Sequence, residues 1–358
     1  MVQKIALVLG TRPEIIKLSP VMRELDRQGQ NYIVIHSNQH YSENMDKVFF
    51  EELQLARPQY NLGIGSAQHG NQTGRMLIAI EEVLLSEKPD VVLAQGDTNT
   101  VLAGILAASK LDIRCGHVEA GLRSYDRRMP EEKNRVLCDA IADDLFCPTE
   151  VQREILEGEG IPDEKVYVTG NTIVDAVQKN STIAKETDVL ERLGLEEGKF
   201  SLLTAHRASN VDSEDALHGL VNMVRHVAKA TGCPTIYPMH PRTRARIEKA
   251  GLELSEVIIV DPLGYRDFLR LEMSAHLIVT DSGGVQEEAC ILGVPCITLR
   301  ENTERPETVG VGANRLVGLD TDRFDVAYGE LKAKKGSWDN PFGDGRASER
   351  ILEIICAS

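Results

Sequence analysis

The chain has 358 residues, 42% of them apolar and 27% charged, and its 55 acidic against 40 basic side chains give a net charge of −15. That length is too great for one ordinary core and comfortable for two domains, and the composition is that of a folded protein rather than a disordered one. The acidic balance disfavours nucleic acid as a partner, so any phosphate ligand has to be held by a local pocket against the overall field. No stretch approaches the roughly 20 apolar residues of a membrane span. "MVQKIALVLGTRPE" runs straight into folded pattern, which predicts no signal peptide and a cytoplasmic protein. The cysteines, Cys115, Cys138, Cys147, Cys233, Cys290, Cys296 and Cys356, are odd in number, scattered and without a CxxC pair. They read as buried thiols of a reducing compartment, not as zinc ligands.

Strand and helix patterns alternate from one end to the other. Short β-branched runs predict strands at "KIALVLG", "NYIVIHS", "DVVLAQG", "DIRCGHVEA", "DLFCPT" and "KVYVTG". The second half repeats the plan with "FSLLTAH", "TIYPMH", "EVIIVD", "HLIVTD" and "PCITLR". Helix-like stretches lie at 13–28, 72–86, 98–110, 212–230 and 284–292, and a last helix begins near Ala347. Apolar runs with little alternation predict strands buried on both faces, hence parallel sheets. Two such series predict an α/β protein of two Rossmann-like doubly wound domains, 1–170 and 171–358, facing across a cleft. The final helix, about 345–358, is expected to pack back on the first domain. Neither half carries a GxGxxG fingerprint, which argues against a redox dinucleotide.

In open parallel sheets ligands lie beyond the carboxyl ends of strands, so each strand-to-helix junction is a candidate site. "LVLGTRPEIIKLSP" places Arg12 and Lys17 near a helix start opened by Pro13. Cations oppose the helix dipole there and ask for an anion, although two solvated surface charges read equally well from this segment alone. "LAQGDTNTVLAG" puts Asp97 at a strand end, as a working carboxylate or as the cap of the next helix. "CGHVEAGLRS" ends a strand with His117 and Glu119, and an acidic group closing an apolar strand is costly unless used. "MPEEKNRV" opens a helix with Glu131 and Glu132, where acidic residues are also commonplace. "LLTAHRASNVD" closes the first strand of the second half with His206 and Arg207, and "YPMHPRTRAR" adds His240, Arg242 and Arg244 as exposed groups.

"HLIVTDSGGVQEEA" predicts a strand ending at Asp281, a turn over Ser282, Gly283 and Gly284, and a helix from about Val285. Free N–H groups at that start favour a phosphate, with Glu287 and Glu288 on the first turn able to accept from ribose hydroxyls. A plain N-cap is the alternative. Carboxylates from one half and a phosphate cradle from the other suit a nucleotide-linked substrate whose remaining part undergoes proton transfer.

The motifs "GTRPEIIK", "QGDTNT", "HVEAGLRS", "PEEKNR", "DSGGVQEEA" and "TERPE" stand in the order and spacing of a known family. On them the chain resembles the non-hydrolysing UDP-N-acetylglucosamine 2-epimerases, the archaeal members most of all. The likeness runs from Lys4 to "GDGRASERI". It implies a two-domain fold of the GT-B glycosyltransferase type, with UDP bound mainly by the second domain. It implies Ser282, Gly283, Gly284 and Arg305 at the diphosphate, with Arg12, Lys17 and His206 reaching in from across the cleft. Glu288 is implied at the ribose hydroxyls and Phe268 beside the uracil. Leu263, where relatives can carry Gln, is implied to meet the base through its backbone. Asp97, Glu119, Glu131 and His206 form the implied catalytic set. One stretch departs from the family: "HRASN" stands where bacterial members carry "HRREN".

The implied reaction is reversible conversion of UDP-N-acetylglucosamine to UDP-N-acetylmannosamine through loss of UDP, a 2-acetamidoglucal and re-addition of UDP. It needs no metal and no nicotinamide. A homodimer, with no nucleic acid or membrane partner, is the implied assembly. The rivals are a hydrolysing 2-epimerase, which releases free N-acetylmannosamine, a retaining glycosyltransferase with an acceptor groove, and a non-catalytic UDP-sugar sensor.

Overall fold

A computed structural model describes residues 2–39 and 49–357. These form two compact units, one reaching to Gln178 and resuming at Phe342, the other spanning Lys179–Pro341. The first unit extends past residue 170 because Ile173, Val174 and Val177 are buried and Asp175 caps the final helix, Ala347–Ala357. Asp175 accepts from the Ser348 N–H at 2.9 Å and the Ser348 hydroxyl at 2.6 Å. The final helix packs against the helix Arg12–Gln28 and so belongs to the first unit.

The first unit is built on seven parallel strands, β1 (Ile5–Leu9), β2 (Tyr32–His36), β3 (Tyr60–Asn61), β4 (Val91–Gln95), β5 (Arg114–Val118), β6 (Asp144–Cys147) and β7 (Val166–Val168). Their order is β3-β2-β1-β4-β5-β6-β7. Every residue of β1 and β4 is buried, as β-branched and leucine runs require when helices cover both faces. Gly104, on the helix Asn99–Lys110, brings that helix close to β1: a Cβ there would meet Val8 at 2.9 Å.

The second unit repeats the plan with β8 (Ser201–Thr204), β9 (Thr235–Pro238), β10 (Ile258–Val260), β11 (Leu277–Thr280), β12 (Cys296–Thr298) and β13 (Asn314–Leu316). The order is β10-β9-β8-β11-β12-β13, again all parallel. All eleven expected strands are present; β3 and β13 were not anticipated. Both are sheet edges of two and three residues, too short to carry an apolar run. Each sheet reverses direction of winding once, between β1 and β4 and between β8 and β11. Those switch points are where an open α/β sheet leaves a crevice. Among the described residues no helix is long and apolar enough to cross a membrane.

Candidate active site

The first switch point gathers the ends of β1, β4 and β5. Asp97 follows β4 and is half-buried. It does not cap the next helix: Thr98 does, its hydroxyl accepting from the Val101 N–H at 3.4 Å. The Asp97 carboxylate instead accepts from Arg135, at 3.0 Å from Nε and 2.6 Å from Nη2. Asn134 fixes the same turn by donating to the Asp97 carbonyl at 2.9 Å. Both partners come from "PEEKNR", a motif whose arginine sequence reasoning left without a role.

Glu119 follows β5 with φ of 70°, a left-handed conformation for a residue with a side chain. Such strain costs on the order of 1–3 kcal/mol and clusters at working sites. The backbone is held there by Glu119 and Ala120 N–H groups, both donating to the Phe146 carbonyl, at 3.0 and 3.1 Å. The side chain is buried, receives a short hydrogen bond from Gln95, and is gripped by Lys17 at 2.7 and 2.8 Å. Lys17 is thus a buried partner of Glu119, not a loose cation at the helix start. Arg12, the other predicted cation, lies 4.5 Å over the Phe49 ring.

Beneath these groups runs a buried charged chain. His117 donates from one nitrogen to the Gly96 carbonyl at 2.7 Å and pairs through Nδ1 with Asp139 at 2.7 Å. Burial favours the neutral ring, but Asp139 and the Gly96 carbonyl outweigh it and raise the His117 pKa. Asp139 is opposed by burial too, yet His117 and Arg123 hold it below the usual carboxylate range. The imidazolium therefore locks the Gly96–Asp97 turn.

Glu14, in "RPE", is a buried carboxyl that sequence reasoning passed over. It accepts from Gly10 N–H at 2.5 Å, Thr11 N–H at 3.0 Å and the Thr98 hydroxyl, joining the ends of β1 and β4. Burial pushes its pKa up to about 7 against the pull of those donors. The two glutamates of "PEEK" separate cleanly. Glu132 accepts from Ser124, Tyr125 and Arg135 and ties the loop after β5 to the helix Pro130–Ile141. Glu131, one position earlier and half-buried, has no partner among the described residues.

At the second switch point the helix begins at Gly283, not Val285. Ser282 is its N-cap residue but its side chain makes no cap hydrogen bond. The N–H groups of Gly283, Gly284 and Val285 find no acceptor among the described residues, at the end of a helix where the dipole favours negative charge. Space beside Gly284 is open, whereas a Cβ on Gly283 would meet Glu304 at 2.6 Å. Glu304 is itself held by Arg300 at 2.7 Å and Arg207 at 3.4 Å. Burial would raise it, but Arg305, Arg300 and Arg207 hold it far below the ordinary range.

Glu287 and Glu288 fall one turn deeper than expected because the helix starts earlier. Glu287 is fully buried and pairs with Arg305 at 2.5 Å, so the predicted diphosphate arginine is also an internal counter-ion. Gln286 accepts from Thr303 at 2.7 Å, and these two contacts fasten "TERPE" to "GGVQEE". Asp281, buried, accepts from the N–H groups of His206 at 2.9 Å and Arg207 at 2.8 Å and from Asn210 at 3.0 Å. The divergent "HRASN" loop is therefore ordered by its first and last polar residues, while Ala208 and Ser209 are exposed. The His206 ring is exposed, 3.5 Å from Asp281 and stacked on His240 at 6.1 Å. Leu263 and Phe268 are partly buried on the apolar cluster around β8 and β11.

A family model described as UDP-N-acetylglucosamine 2-epimerase matches residues 23–356. The chain belongs to the UDP-N-acetylglucosamine 2-epimerase family. It is 54% identical to the UDP-N-acetylglucosamine 2-epimerase of Methanocaldococcus jannaschii over 98% of both chains. A crystal structure of Methanocaldococcus jannaschii UDP-GlcNAc 2-epimerase in complex with UDP-GlcNAc and UDP superposes with a TM-score of 0.93 at 53% identity, covering 99% of this chain and 100% of that one. A more distant relative, the UDP-2,3-diacetamido-2,3-dideoxy-D-glucuronate 2-epimerase of Pseudomonas aeruginosa, is 42% identical over 98% of this chain and 99% of its own. The two parallel-sheet units are those of the GT-B fold of this epimerase family.

Proposed function

We propose that the protein is a non-hydrolysing epimerase that interconverts UDP-N-acetylglucosamine and UDP-N-acetylmannosamine. The observation that carries this reading is the row of acidic side chains at the ends of β4 and β5 and the start of the neighbouring helix: Asp97, Glu119 and Glu131. Asp97 and Glu119 are anchored by Arg135 and Lys17, and Glu131 has no partner among the described residues. Proton transfer on both faces of one carbon needs more than one carrier, and this row supplies three.

The C2 proton of an N-acetylhexosamine has no adjacent carbonyl, so direct abstraction is very hard. Weakening the C1–O bond first builds positive charge at C1 and acidifies C2–H. The leaving UDP then needs stabilising, and the uncapped N–H groups from Gly283 to Val285, after Ser282, suit its diphosphate. His206 and the cations Arg12 and Arg305 are the further groups we assign to it, with Glu288 at the ribose and Phe268 and Leu263 at the base. A carboxylate removes the C2 proton to give 2-acetamidoglucal. Return of a proton from the opposite face, with UDP re-adding at C1, completes the inversion. A homodimer working in the cytoplasm completes this reading.

The partition of products tests it. After incubation with UDP-N-acetylglucosamine, anion-exchange chromatography is expected to show UDP-N-acetylmannosamine, with sugar and nucleotide still joined. Stoichiometric free UDP and free N-acetylmannosamine would instead identify a hydrolysing enzyme. Failure to turn over this substrate, with turnover of a diacetamido-glucuronate nucleotide, would move the substrate assignment.

A further inference from the structure

Glu272 lies on the helix Tyr265–Ser274 and is completely buried. Among the described residues no N–H or O–H donor reaches either of its carboxyl oxygens. The group it meets is the carboxyl of Glu288, on the adjacent helix Gly283–Ile291, itself buried. The other titratable group facing it is the Cys296 thiol on β12, which burial keeps neutral. The remaining neighbourhood is the apolar cluster that includes Leu271, Ala275, Val285 and Ala289.

Two carboxylates cannot meet in such a place without a proton between them. Burial, and then the charge of Glu288, lift Glu272 well above the ordinary glutamate value. Its proton is therefore donated to Glu288. We propose that Glu272 is a positioning residue for the nucleotide, orienting the Glu288 carboxylate through a carboxyl–carboxyl hydrogen bond. The inference rests on the reading that Glu288 meets the ribose hydroxyls. A neutral donor beneath Glu288 fixes one of its lone pairs and leaves the others as acceptors for two neighbouring hydroxyls, while adding no second negative charge near a diphosphate.

Carboxyl carbon NMR of protein labelled in its glutamates reads the proton directly, with Glu272→Gln assigning the signal. Glu272 is expected to remain protonated at neutral pH. A Glu272 signal titrating at the ordinary value of about 4.3 would overturn the proposal on the wild-type protein itself. Calorimetry with UDP reads the consequence. Glu272→Gln keeps a donor and is expected to bind UDP within about threefold of wild type, whereas Glu272→Leu is expected to bind about tenfold more weakly, the usual weight of a hydrogen bond to a charged group. Wild-type affinity in Glu272→Leu overturns the positioning role. Normal UDP affinity in Glu288→Gln would remove the ribose reading, and this role with it, whatever the carbon spectrum gives.

Discussion

At the scale of single residues, the acidic row behaves as three different groups. Asp97 and Glu119 each pair with a buried cation, so neutralising either one also removes a charge partner of Arg135 or Lys17. Glu131 has no such partner among the described residues, and its substitution separates chemistry from folding. Asp97→Asn, Glu119→Gln and Glu131→Gln are each expected to lower turnover at least ~100-fold, the ordinary worth of a positioned acid or base. In Glu131→Gln alone, the melting temperature is expected to stay at the wild-type value. Steady-state rates beside thermal scans check this, and near-normal turnover in all three variants would contradict the mechanism. The placement of this proposed set was legible in the motifs: "QGDTNT" and "HVEAG" put Asp97 and Glu119 at strand ends, and "PEEKNR" put Glu131 at a helix start. The pairings were not, since Lys17 and Glu119, or Asp97 and Arg135, are brought together only by the order of the strands.

At the scale of elements, the helix Gly283–Ile291 is the instructive case. An N-cap serine and an anion cradle look alike in sequence, because both place a small polar residue before a helix. In the structure the Ser282 side chain forms no cap hydrogen bond, which speaks against a serine cap and supports the proposed cradle. Removing a working cap destabilises a protein by about 1 kcal/mol. Ser282→Ala is therefore expected to leave thermal stability unchanged within about 0.5 kcal/mol while weakening UDP binding. Loss of stability with normal UDP affinity would restore the plain cap. The early start of this helix also explains the misplacement of Glu287. Reading the turn as Ser282-Gly283-Gly284 shifted the helix C-terminally and hid the Glu287–Arg305 pair. Edge strands β3 and β13 escaped for a different reason, having too few residues to show a period.

At the scale of the whole molecule, the alternation of apolar runs and amphipathic stretches made the α/β plan readable throughout the chain, because buried parallel strands have to be apolar on both faces. The buried ionic groups were not readable, yet they dictate how stability follows pH. Glu14 and Glu272 have folded pKa values raised above the unfolded one, so what they contribute is present below about pH 4.5 and is lost as pH rises, for Glu14 through about 7. Glu304 and Asp139 have lowered values, and their contribution is lost as pH falls below the ordinary carboxylate range. Melting temperature is thus expected to peak in the mildly acidic range and to decline between about pH 5 and 7.5, with calorimetric scans as the check. A flat profile across that interval would mean that Glu14 is ionised throughout.

The most direct test of the proposed chemistry is proton NMR of the protein with UDP-N-acetylglucosamine in D2O. Deuterium is expected to enter C2 while a UDP-N-acetylmannosamine signal grows and the sugar stays on UDP. Epimerisation with the C2 proton fully retained, or free N-acetylmannosamine accumulating in step with UDP, would contradict it.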